Sequence, residues 1–141
     1  MSAVSQQKFD NIVMKVKEYT EGKHYIVVKV KSIATTPLET MKDMKCYVEN
    51  LSNSRTTYII LVDLRKLNTL PIPVVMQWVE FFRSIRQFLK SSVKHTIFIT
   101  PMYMLHLAIN VGLKVYTPIK PFYIVSTIEE AHQNGWNDSS L

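Results

Sequence analysis

The sequence predicts an α/β domain with a single mixed, mainly parallel sheet, begun by an N-terminal β-hairpin and flanked by helices. Three observations carry that prediction. Short β-branched apolar runs alternate along the chain with longer stretches of helical period. Two segments near the start alternate apolar residues with lysines, as half-buried strands do. The connections are short, so the 141 residues read as one domain, residues 1–141, with 1–10 and 136–141 flexible. The element order is β-β-α-β-α-β-α-β-α.

Residues 11–20, NIVMKVKEYT, set Ile12, Met14 and Val16 on one side and Lys15 and Lys17 on the other. HYIVVKVKS repeats the pattern, with Ile26, Val28 and Val30 against Lys29 and Lys31, and Gly22 between the segments suits a hairpin turn. Thr36, Pro37 and Glu39 read as the cap, first helical residue and capping-box acid of a helix. Its Leu38, Met41, Met44, Val48 and Leu51 recur at helical spacing and predict a core stripe. TTYIILVDL is the near-continuous apolar run of a strand covered on both faces.

After Pro73 one long helix is predicted, with Val74, Trp78, Phe81, Ile85 and Phe88 along one side and Arg83, Arg86, Lys90 and Lys94 along the other. HTIFIT reads as a buried strand, and Thr100 with Pro101 opens a helix that Gly112 closes. FYIVST is the last strand. Thr127 and Glu130 then cap the short helix IEEAHQ, which Asn134 and Gly135 end.

Composition narrows the function classes. With 47% hydrophobic and 20% charged residues the chain is globular rather than disordered in usage. Its one cysteine, Cys46, has no disulfide partner and no CxxC neighbour, and reads as a small, partly buried apolar residue of the first helix. There is no signal-like N-terminal apolar segment and no apolar run near the ~18 residues of a membrane span. A soluble, cytoplasmic protein is expected.

Catalytic constellations are missing from the pattern. The four histidines, His24, His95, His106 and His132, fall on four elements without metal-ligand spacing, so no metal is expected. Only 3 glycines are present, and GxxxxGK[ST], GxGxxG and GxSxG do not occur, so no cofactor is expected either. Asp63 has no His or second acid beside it and reads as a turn-capping carboxylate. The protein is expected not to be an enzyme.

The hairpin, the strand motif ILVDLRKLNTL, the long helix and the closing strand-to-helix step VSTIEEA resemble the STAS, or SpoIIAA-like, domain of anti-sigma-factor antagonists and sulfate-transporter tails. The resemblance covers nearly the whole chain. It implies a protein-interaction or regulatory module. In the antagonists a serine at the start of the helix after this junction is phosphorylated, but the family's Asp-Ser pair falls here on Pro71 and Ile72, which removes the switch. The related CRAL-TRIO group holds apolar ligands, so the resemblance also implies a carrier or sensor of a lipid or other apolar molecule as an alternative.

The candidate partner-binding surface is the junction itself, with Thr69, Leu70, Pro71, Ile72, Pro73 and Trp78. Pro71 and Pro73 fix the backbone and donate no N–H, while Ile72 offers an apolar contact beside a helix start. A protein partner or a second copy of the chain is the expected occupant. The aromatic long helix, in which Phe82 falls off the main stripe, reads chiefly as core. The net charge of +6 adds a third reading, a polyanion or membrane-surface patch of Lys15, Lys17, Lys29, Lys31, Arg83, Arg86 and Lys90. Nucleic acid ranks below protein as a partner.

Overall fold

The alternation of residues 12–17 sorts the sheet into two unlike faces in a computed structural model, which describes residues 2–20, 23–52 and 56–136. The strands are β1 (Ser2–Phe9), β2 (Ile12–Thr20), β3 (Lys23–Val30), β4 (Tyr58–Asp63), β5 (Val93–Ile99) and β6 (Phe122–Val125). The helices are α1 (Leu38–Glu49), α2 (Ile72–Ser84), α3 (Arg86–Ser92), α4 (Tyr103–Val115) and α5 (Ile128–Gln133). The six strands form one sheet in chain order. β1, β2 and β3 pair antiparallel, and β3 through β6 pair parallel.

Sequential parallel strands joined by crossovers of one hand keep the connecting helices on one face. There Ile12, Met14, Ile26, Val28, Ile60, Val62 and Phe98 are buried against Met44 and Val48 of α1, Phe81 and Phe82 of α2, Phe88 of α3, and Leu105 and Ile109 of α4. The reverse face buries Tyr25, Val27, Leu61, Ile97, Ile99 and Val125 beneath Ala131 of α5 and Trp136. β4 is covered on both sides, as its continuous apolar run requires.

The polar start of the chain departs from expectation. Residues 2–9 form β1 rather than a flexible segment, paired with β2 from Ser2↔Glu18 to Phe9↔Ile12. Asp10, with φ 56°, takes the left-handed conformation that the tight turn to Asn11 requires. At the other end, Trp136 is fully buried and meets the Tyr25 ring edge-on at 4.4 Å. It is placed by the turn that ends α5: Gly135 at φ 100°, with Trp136 N–H donating to Ala131 O and Gly135 N–H to His132 O. Gly22 and residues 137–141 lie outside the described residues.

The long helix predicted after Pro73 is two helices, broken at Ile85 with neither proline nor glycine. The Ser84 hydroxyl donates to Phe81 O at 2.7 Å, a back-bond that competes for the carbonyls of the last turn. Thr36 is not the cap of α1, which starts after Pro37 without a side-chain cap, and Leu38 stands 72% exposed rather than in the core stripe. α4 begins two residues later than Thr100 and Pro101 suggest, with the Thr100 hydroxyl accepting from Met102 N–H.

Gly112 lies inside α4, not at its end. A Cβ there would sit 2.9 Å from Val75 Cγ1, so this glycine permits close packing of α4 on α2. The capping of α5 is as expected, with Thr127 Oγ1 accepting from Glu130 N–H at 3.2 Å.

Candidate functional site

The junction between β4 and α2 is held from within. Leu64 and Leu67 are buried, and Leu64 N–H donates to Ile99 O on the neighbouring strand. Asp63 closes the end of β4 by accepting from Arg65 Nε at 2.9 Å, from a terminal guanidinium nitrogen at 2.8 Å and from Arg65 N–H at 3.1 Å. Burial pushes the carboxyl pKa up, but the hydrogen bonds and charge of Arg65, with Lys29 assisting, outweigh burial and hold it below its ordinary value. Every oxygen of Asp63 is thus occupied in shaping the loop, and the turn-capping reading matches this geometry.

The lip predicted at residues 69–78 divides in two. Thr69, Ile72 and Pro73 are exposed, with Ile72 at 50%, and Pro71 is half-buried. Leu70 and Trp78 turn inward instead and line an apolar cavity with Val75, Phe82, Phe98 and Tyr116. That inward turn follows from helical spacing, since Trp78 lies one turn beyond the buried Val74 and its ring packs on Phe81 and Phe82. Phe82 also faces inward, against Phe98, Tyr116 and Phe122.

Beside the outward half of the lip runs a groove of about 580 Å³ between α1 and α2. Leu38, Met41, Pro73, Met76 and Phe81 line it, with Lys42, Lys45 and Glu80 at the rim. Leu38, whose spacing predicts a core position, is exposed and lines this groove.

The apolar cavity under α2 and α4 is small. It holds about 50 Å³, against the about 300–1,000 Å³ of a typical small-molecule site. Gly112, Val75 and Val79 line it, and a Cβ on Gly112 would lie 2.9 Å from Val75 Cγ1. The Tyr116 hydroxyl is buried with no hydrogen-bond partner among the described residues, and burial raises its pKa against the opposing charges of Arg86 and Arg83.

The basic residues do not form one patch. Lys15, Lys17 and Lys29 share the reverse face, where Lys17 is 7% exposed and Lys29 lies in register with Asp63. Lys29, Lys31, Arg65 and Lys66 edge a cleft of about 270 Å³ at the carboxyl ends of β3 and β4. Burial, then the neighbouring Lys15, lowers the Lys29 pKa, with Asp63 opposing. Arg83, Arg86 and Lys90 sit on α2 and α3, across the sheet from these lysines.

Cys46 is exposed on α1, not partly buried. Among the described residues the histidines stay apart, and no three His, Cys, Asp or Glu side chains gather as metal ligands do. No helix among the described residues is long and apolar enough to cross a membrane.

These features define a singly wound α/β sheet with an exposed strand-to-helix junction beside a groove between α1 and α2. No family model and no curated protein matches this sequence. Among solved structures the chain is similar to an uncharacterized protein of the DUF3478 family from Shewanella loihica PV-4, which has a SpoIIAA-like fold. The TM-score is 0.60 over 94% of this chain and 97% of that one, at 16% sequence identity. The chain therefore has the SpoIIAA-like fold, as the resemblance in its sequence implied.

Proposed function

We propose that the protein is a non-enzymatic STAS-like interaction module that docks a protein partner at the β4–α2 junction, without a phosphoserine switch. The observation that supports this reading is the exposed apolar side chain of Ile72 next to Pro73, which lines the α1–α2 groove. An exposed isoleucine between two prolines presents apolar area with little conformational freedom left to lose on binding. Asp63 supports the same reading, since both oxygens of its carboxylate are engaged by Arg65 in shaping the loop. Lys42 and Lys45 on the groove rim suit an apolar segment flanked by acidic residues.

The test is Ile72→Asp. Crosslinking and affinity purification from the host should recover a protein with the wild type that Ile72→Asp does not recover, while the two chains have the same far-ultraviolet circular dichroism. Equal recovery of that protein by both chains would refute the reading.

A further inference from the structure

α4 is apolar on both of its sides, a pattern ordinarily reserved for a helix buried all round. Leu105, Ile109 and Gly112 face the core, yet Met104, Leu107, Val111 and Val115 form an outward stripe at intervals of three, four and four. These residues are 65%, 42%, 41% and 49% exposed, and Tyr103 beside them is 71% exposed. No other described element of the chain leaves so much apolar side chain in water.

The charge around this stripe is predominantly positive, with Glu80 ion-paired to Arg83 near its end. From Phe81 to Ile128 the sequence contains no Asp or Glu, while it contains Arg83, Arg86, Lys90, Lys94, Lys114 and Lys120. The fold brings part of that set to the end of the stripe. Arg83 donates to Val115 O at 2.7 Å, Lys114 is the neighbour of Val115, and Tyr116 lies in the field of both Arg86 and Arg83. The acids of α5, Glu129 and Glu130, belong to the helix on the reverse face of the sheet.

A second copy of the chain would bring the same predominantly cationic surface against this one, and the nearby Glu80 is already engaged by Arg83. A partner that offers an apolar phase and a dense negative charge in one plane satisfies both features. We propose that α4 is an interfacial helix that seats the protein on an anionic bilayer surface. The stripe from Met104 to Val115 enters the headgroup region, and Arg86, Lys90 and Lys114 meet the lipid phosphates. This surface is separate from the α1–α2 groove, so the protein reading of that groove and the lipid reading of α4 stand or fall independently.

Co-sedimentation of the full chain with vesicles tests the proposal, using phosphatidylcholine alone and phosphatidylcholine mixed with phosphatidylserine. The expected result is binding to the mixed vesicles at least about tenfold stronger than to the neutral ones, weakening as salt is raised. Leu107→Asp, and the milder Val111→Gln should Leu107→Asp fail to fold, should reduce binding to both vesicle types. Arg86→Glu with Lys90→Glu should remove the preference for the anionic ones. Failure to bind the mixed vesicles would overturn the proposal. So would binding unchanged by stripe substitutions, or a dimer in solution that Leu107→Asp dissociates without any vesicle binding.

Discussion

Gln77 on α2 closes both backbone hydrogen-bonding groups of Thr36, 41 residues away: Thr36 N–H donates to Oε1 at 2.9 Å and Nε2 donates to Thr36 O at 2.8 Å. Thr36 is buried, so these bonds satisfy groups that water does not reach, and they fix the entry to α1 against α2. Gln77 also lines the α1–α2 groove. Gln77→Ala should destabilise the fold by about 1–3 kcal/mol in urea denaturation, because it strands a buried donor and a buried acceptor. Gln77→Glu, which keeps an acceptor and loses the donor, should also destabilise.

The approach of α4 to α2 sets a second expectation. Gly112→Ala gains about 1 kcal/mol of helix propensity. Its Cβ would meet the stiff Val75 side chain at 2.9 Å, and overpacking costs about 1–3 kcal/mol. Net destabilisation is predicted. The loss should shrink when the same change is made in a Val75→Ala background, which a double-mutant cycle measures.

Acid should weaken the junction through Asp63. Its folded pKa lies below the ordinary 3.8, so its contribution is complete above the ordinary carboxylate range and is lost as pH falls through the lower folded value. Asp63→Asn should lower stability at neutral pH by about 1–2 kcal/mol, from weakened hydrogen bonds to Arg65. It should also flatten the acid limb of a stability profile taken against pH.

His95 gives a separate slope at milder acidity. Its ring packs edge-on to Tyr123 at 5.4 Å, with Nε2 buried and lacking a hydrogen-bond partner among the described residues. Burial lowers its pKa from 6.5, opposed by the backbone of Asn134. The folded state therefore prefers the neutral ring, and stability present above pH 6.5 should decline as pH falls below it. Thermal melts between about pH 7 and pH 5 should show this decline in the wild type and a flatter line in His95→Gln.

The parts of the fold legible in the sequence are those governed by period and local caps. Alternation gave the two faces of β2 and β3, and Thr127 with Glu130 marked α5, because each signal acts within a few residues. β1 was hidden because SAVSQQKF is an edge strand with little apolar content, held by its pairing with β2. The break at Ile85 was hidden because helical period continues through it, and Ser84 is an ordinary surface residue until its hydroxyl turns back to Phe81 O. Thr36 looked like a cap because its true partner, Gln77, is distant in sequence.

The candidate site was legible to the same depth. Proline geometry placed Ile72 outward, whereas the inward turn of Leu70 and Trp78 depends on a cavity made with α4. The basic residues of the hairpin and helices looked like one patch because sequence shows their sign and not the strand order. Chain-order pairing places every helix from α1 to α4 on one side, and so parts them.

Native mass spectrometry of the chain purified gently from its host, beside Ile72→Asp purified the same way, tests the central claim most directly. The wild type should carry a protein of defined mass that is absent from Ile72→Asp. A complex that survives the substitution, or a wild-type chain carrying only a small apolar molecule, would contradict it.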